Sequence, residues 1–95
     1  MFKIFVKFKC YEGKRCEFVK RVKEEGILDL IRAEDGCQLY EYYYSDQRCD
    51  ELLLIEIWET PEHQQIHIKT PHMDKLRSFK NDYIYETEIG EFFTK

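Results

Sequence analysis

Residues 52–59 read LLLIEIWE, with apolar side chains in both alternating sets. Leu52, Leu54 and Trp58 share one set with Glu56, while Leu53, Ile55 and Ile57 form the other. A β-strand points successive side chains to opposite faces, so this pattern predicts a strand covered on both sides. A chain of 95 residues makes one domain, spanning 1–95, around one core. Its helices can cover one face of a sheet only. The other face then needs a different cover, and a second copy of the chain is the simplest.

The remaining pattern supplies the partners of that strand. In FKIFVKFK, Phe2, Ile4, Val6 and Phe8 alternate with Lys3, Phe5, Lys7 and Lys9, which predicts a half-buried strand. Residues 14–32 fit a helix, with Phe18, Val19, Val22, Gly26, Leu30 and Ile31 in one stripe and Lys20, Lys23, Glu24 and Asp29 facing away. Gly26 weakens that helix by about 1 kcal/mol against Ala and marks a bend or a close backbone approach. Asp35-Gly36 closes the helix and opens a strand, CQLYEYYYS, and DQRCDE is a polar turn. Thr60-Pro61 and Thr70-Pro71 each place a capping hydroxyl before a proline at the first helical position, which predicts two short helices. The tail DYIYETEIGEFFT returns to strand. The order β-α-β-β-α-α-β is a ferredoxin-like α+β unit, an antiparallel sheet with helices on one face. Two such sheets face to face give a dimeric α+β barrel, the aromatic last strand being the natural element to cross over.

Charge and cysteine usage narrow the partners. Lys and Arg number 15 against 19 Asp and Glu, interspersed and without a basic stripe, which argues against nucleic acid. The lysines of the first ten residues interrupt any signal-peptide core, and no run is long enough to span a membrane. Cys10, Cys16, Cys37 and Cys49 form no C-x-x-C pair and read as reduced thiols of a cytoplasmic protein. Aromatic residues make up 16% of so short a chain, enough to line a pocket for a planar ligand or to build a subunit interface.

All three histidines fall within WETPEHQQIHIKTPHM. His63 and His67 are one helical turn apart, but HQQIH lacks the Glu of a H-E-x-x-H zinc motif, and no third and fourth ligand follows from the pattern. Metal is therefore not expected. His63, in the first turn of its helix, is expected in solvent. His67 lies at the joint between the two short helices, beside Ile66 and Ile68. It is either a proton acceptor, its ordinary pKa of about 6.5 suiting neutral pH, or a packing residue bonded to the backbone. Glu56 shares strand parity with Trp58, so Trp58 would wall a pocket and Glu56 place a carboxylate in it, or else Glu56 forms an internal salt bridge. Tyr40, Tyr42 and Tyr44 share one face of their strand, a ladder that cross-strand packing explains. Tyr83, Tyr85, Phe92 and Phe93 are expected at subunit contacts. No Gly-rich phosphate or dinucleotide motif occurs.

The element order, Asp35-Gly36-Cys37 with Tyr40 beyond, and Trp58-Glu59 followed by His67-x-x-Thr70-Pro71-His72-Met73 resemble the antibiotic biosynthesis monooxygenase domain, in its small quinol-monooxygenase-like form. The resemblance runs over essentially the whole chain. It implies a cytoplasmic homodimer whose protomers each oxygenate a small phenolic or quinol substrate with dioxygen and no cofactor. His67 would be the catalytic base, with Trp58, Glu56, Tyr40, Ile66, His72 and Met73 around the substrate. Haem-degrading relatives need an Asn in the first strand, a Trp where His67 stands and a ligating His near Arg77. All three are missing, which counts against haem. Relatives that isomerise a phosphorylated signal sugar share His67 and Thr70-Pro71-His72. That chemistry would call for a cation in the pocket, with Lys3, Lys7 and Arg32 as candidates. A non-catalytic ligand-binding dimer is the third possibility.

Overall fold

A computed structural model describes all 95 residues. The alternation of the first segment becomes strand β1 (Phe2–Cys10), which buries Ile4, Val6, Phe8 and Cys10. It is followed by α1 (Arg15–Glu24), α2 (Ile27–Arg32), β2 (Cys37–Tyr44), β3 (Glu51–Trp58), α3 (Pro61–His67), α4 (Pro71–Lys80) and β4 (Ile84–Glu91). The four strands form one antiparallel sheet in the order β2-β3-β1-β4, the ferredoxin-like arrangement, with the helices on one face. No helix is long and apolar enough to cross a membrane.

The expected 14–32 helix is two helices. Gly26 adopts φ +75°, a left-handed conformation that side-chain-bearing residues avoid, and the chain turns there. The break resets the helical phase. Ile27, Leu28 and Ile31 now face the core, while Leu30, expected in the apolar stripe, is 54% exposed.

Phe18 of α1 is fully buried at the centre of the core, its ring 5.9 Å from Phe8, 6.1 Å from Tyr42 and 6.3 Å from Phe79. Tyr83, expected at a subunit contact, instead packs 5.9 Å from the same ring. Tyr85 and Phe93 are exposed. Burying a side chain of this size contributes roughly 1.5–3 kcal/mol. The four cysteines are separate thiols, and burial pushes that of Cys10 up to about 11.

Register fixes what each sheet face carries. On the helix side, Tyr40, Glu56 and Ile4 stand abreast, and next along the strands come Tyr42, Leu54, Val6 and Ile89. On the other side Phe5, Leu39, Leu53, Ile55 and Ile57 are half-buried, with no helix over them. Lys3 and Lys7 share that face and so point away from the helix-side core.

Candidate functional site

The site is assembled where α3 meets α4. Thr60 caps α3, its Oγ1 accepting from the His63 N–H at 3.3 Å, and Pro61 starts the helix. Seven residues later the helix ends at His67. Thr70 does not cap α4 with its side chain. Its hydroxyl turns back and donates to the His67 carbonyl at 2.9 Å, closing the joint. The joint drives His67 inward until it is 1% exposed, its ring 4.7 Å from Trp58 and 5.6 Å from Tyr40.

What holds the histidines is the turn after α2. Glu34 Oε2 lies 2.8 Å from His67 Nδ1 and 2.8 Å from His72 Nε2. Asp35 Oδ2 lies 3.3 Å from His63 Nε2, and Thr60 Oγ1 is 2.7 Å from His63 Nδ1. Thus each histidine meets a carboxylate of one dipeptide, Glu34-Asp35. Gly36 makes this possible: it has φ +81°, and a Cβ there would overlap the His63 ring. His63 is accordingly half-buried and pinned, not in solvent as expected.

An ionised carboxylate only accepts hydrogen bonds, so His67 donates from Nδ1 and His72 from Nε2. The neutral His67 ring therefore keeps its lone pair on Nε2, 3.9 Å from Glu56 Oε1. Burial lowers the His67 pKa from its ordinary 6.5 and outweighs the opposing pull of Glu34, so the ring is neutral at pH 7. Glu56 is 5% exposed, and burial raises it to about 7. The expected internal salt bridge is not formed. Apart from the neutral His67 ring, its polar partner is the Trp58 indole N–H, which donates to Oε1 at 3.0 Å. Burial likewise holds the Tyr40 hydroxyl well above its usual range, hence protonated.

Beside these groups lies a cavity of about 190 Å³ between sheet and helices. Tyr40, Glu56 and His67 line it together with Leu54, Val6 and Met73, as the sequence analysis placed four of them. Three expected pocket residues stand elsewhere. Trp58 is fully buried behind His67 and backs the imidazole without touching the cavity. Ile66 is 66% exposed, because α3 turns only His67 inward at its end; Ile68 lines the cavity instead. His72 faces Glu34 and not the cavity. Arg77 and Lys80 of α4 are on the cavity wall, whereas Arg32 donates to the Tyr40 carbonyl at 3.0 Å.

Glu34, His67 and His72 present ligand atoms within 4.8 Å of one another, a donor set of the kind zinc accepts. Here all three are already satisfied by each other, and no buried side-chain nitrogen or oxygen lacks a partner. The cluster is complete as a hydrogen-bonded triad.

Fold and site define a ferredoxin-like domain with an aromatic-lined cavity and an imidazole–carboxyl pair at its wall. The family model of the antibiotic biosynthesis monooxygenases matches residues 1–78, and the chain belongs to that family. Membership carries a monooxygenase-like function in general terms, with no substrate attached. No curated protein matches the chain. Among solved structures it resembles a conserved protein of Methanosarcina mazei Go1, with TM-score 0.86 and 22% identity over 99% of this chain and 92% of that one. An antibiotic biosynthesis monooxygenase is similar at TM-score 0.84 and 17% identity, covering 100% of this chain and 99% of the other. A Bacteroides thetaiotaomicron protein described as a possible oxidoreductase gives TM-score 0.76 and 25% identity over 96% of both chains. The family match ends before β4, but the structural likeness includes it.

Proposed function

We propose that the chain is a homodimeric, cofactor-independent monooxygenase of a quinol or phenol, with His67 as its base. One observation carries this reading: the Nε2 lone pair of a neutral His67 lies 3.9 Å from Glu56 Oε1 at the wall of an aromatic cavity while Glu34 fixes the tautomer from behind. A bound hydroxyl donates its proton to Nε2, and Glu34 stabilises the imidazolium that forms. The resulting anion is electron-rich enough to pass one electron to dioxygen, which closed-shell molecules otherwise resist. Recombination of the two radicals forms a ring carbon–oxygen bond. Breaking the O–O bond then releases one oxygen as water, and Glu56, with its pKa of about 7, is placed to return the proton. One quinol and one dioxygen thus give one hydroxyquinone and one water. The open apolar face of the sheet supports the dimer, since Phe5, Leu53, Ile55 and Ile57 need a cover that the chain lacks.

The test is turnover of a reduced naphthoquinol by metal-stripped protein, with and without oxygen and against the uncatalysed autoxidation rate. His67→Ala should lower kcat/KM by about a hundredfold or more. Equal rates for the variant and the wild type would remove His67 as the base. A second reading, isomerisation of a phosphorylated carbonyl compound, is favoured by the cations Arg77 and Lys80 on the cavity wall. Oxygen-independent turnover of such a compound would replace the first reading with the second.

A further inference from the structure

We infer that the cavity is built for an elongated aromatic molecule with a hydroxyl at one end and a carboxylate at the other, anchored by Lys80. This rests on the aromatic-substrate reading above and adds a charge and an orientation to it.

The cavity floor is polar at one end and cationic at the other. Ile4 stands abreast of Glu56 and Tyr40, while Phe8, four residues along β1, stands abreast of Leu52 and Thr87. Four strand residues span ~13 Å at ~3.3 Å each. Over that far end lies Lys80, the last residue of α4, with its Nζ 5.4 Å from the Phe8 ring centroid. Ile4, Phe8, Glu56 and Lys80 all line the same cavity.

Lys80 differs from the other basic groups near the cavity in having nothing to neutralise it. Arg77 donates to Asp74 at 2.6 Å and to the Ile68 carbonyl at 2.8 Å, so it is spent on holding the joint between α3 and α4. Lys80 has no carboxylate within 4.0 Å; Lys3, Lys23, Lys69 and Lys95 share that lack, but none of them lines the cavity. It is also half-buried, and burial lowers its pKa, as expected of an ammonium short of counter-charge. Its place in the last turn of α4 suits the helix dipole. Its ammonium also lies over the Phe8 ring, a cation–π contact that holds the side chain along the cavity wall.

A single unpaired cation matches a singly charged anion. A ligand carboxylate is also kept away from Glu56, which carries like charge above pH 7, so the two ends of the cavity impose one orientation. The hydroxyl goes to His67 and Glu56, and the carboxylate goes to Lys80.

A hydroxynaphthoate and its methyl ester form a pair that differs in charge and by one methyl group, whose burial would favour the ester. Calorimetric titration of wild type should show the acid binding about tenfold tighter than the ester. Raising the salt concentration should narrow that gap. Lys80→Met, which keeps the apolar stem, should bring acid and ester to within about twofold, and Lys80→Arg should restore the preference. Equal binding of acid and ester to wild type, or a preference that survives Lys80→Met, overturns the inference and leaves the aromatic cavity standing. If neither compound binds, the aromatic-substrate reading fails with it.

Discussion

The two faces of β3 have nearly the same hydrophobicity and opposite fates. Leu52, Leu54, Glu56 and Trp58 lie under the helices and are at most 5% exposed. Leu53, Ile55 and Ile57 lie on the other side and are only half-buried. The sole carboxylate in the interior of the strand is on the covered face, where hydrophobicity alone would forbid it, and beyond the terminal Glu51 the open face of the strand is aliphatic. The contrast separates two kinds of selection on one strand. On the proposed function, the covered charge serves the chemistry and the uncovered aliphatic surface serves the dimer. Glu56 could not do its work on the open face, where water would return its pKa to an ordinary value.

Substitutions on each face sharpen the contrast. Leu52→Ala should cost about 2–5 kcal/mol in chemical denaturation, because a fully buried leucine leaves a cavity behind. Leu53→Ala, measured on dilute protein, should cost about 1 kcal/mol, since its side chain is only partly removed from water. Equal losses would show that the open face is already covered within one chain. Ile55→Asp should weaken self-association by about a hundredfold in sedimentation experiments while leaving the circular dichroism unchanged. A wild-type protein that sediments as a single protomer at all concentrations would remove the interface altogether.

Glu56→Gln has a smaller effect whose sign depends on pH. Between its unfolded value of 4.5 and its folded value of about 7, the folded chain binds more protons than the unfolded chain. Stability from this residue is therefore highest in acid and falls as pH rises through that window. Gln removes the charge and keeps an oxygen for the Trp58 N–H. The variant should gain roughly 3 kcal/mol at pH 8 and nothing at pH 4, read from the two denaturation midpoints. The same substitution should slow turnover, so stability and activity move in opposite directions.

The strands and the paired Thr-Pro helix starts were legible because period-two and capping signals are local. Parity placed Glu56 on the helix side of the sheet and helix position brought His67 to the joint, whereas Tyr40 and Met73 were placed at a pocket only by the family resemblance. Ile66 was misplaced because a seven-residue helix ending at His67 has no further turn to carry a neighbour inward. Trp58 had the right parity but sits at the strand end that His67 covers. Leu30 was misplaced because a left-handed glycine restarts the helical phase, and sequence shows the glycine but not its φ. Glu34 had no usable signal beyond an acidic pair before Gly36. It is 33 and 38 residues from the histidines it holds, and only the folded turn brings them together.

The grip of Glu34 and Asp35 on three imidazoles bears on how a guest molecule enters. It rivets the start of β2 to the roof at two successive helices, so neither α3 nor α4 can swing away on its own without tearing a carboxylate from a ring. That side is the hinge-plate. On the opposite flank no such grip exists: Thr87 and Ile89 of the edge strand β4 are exposed and border the cavity together with Lys80.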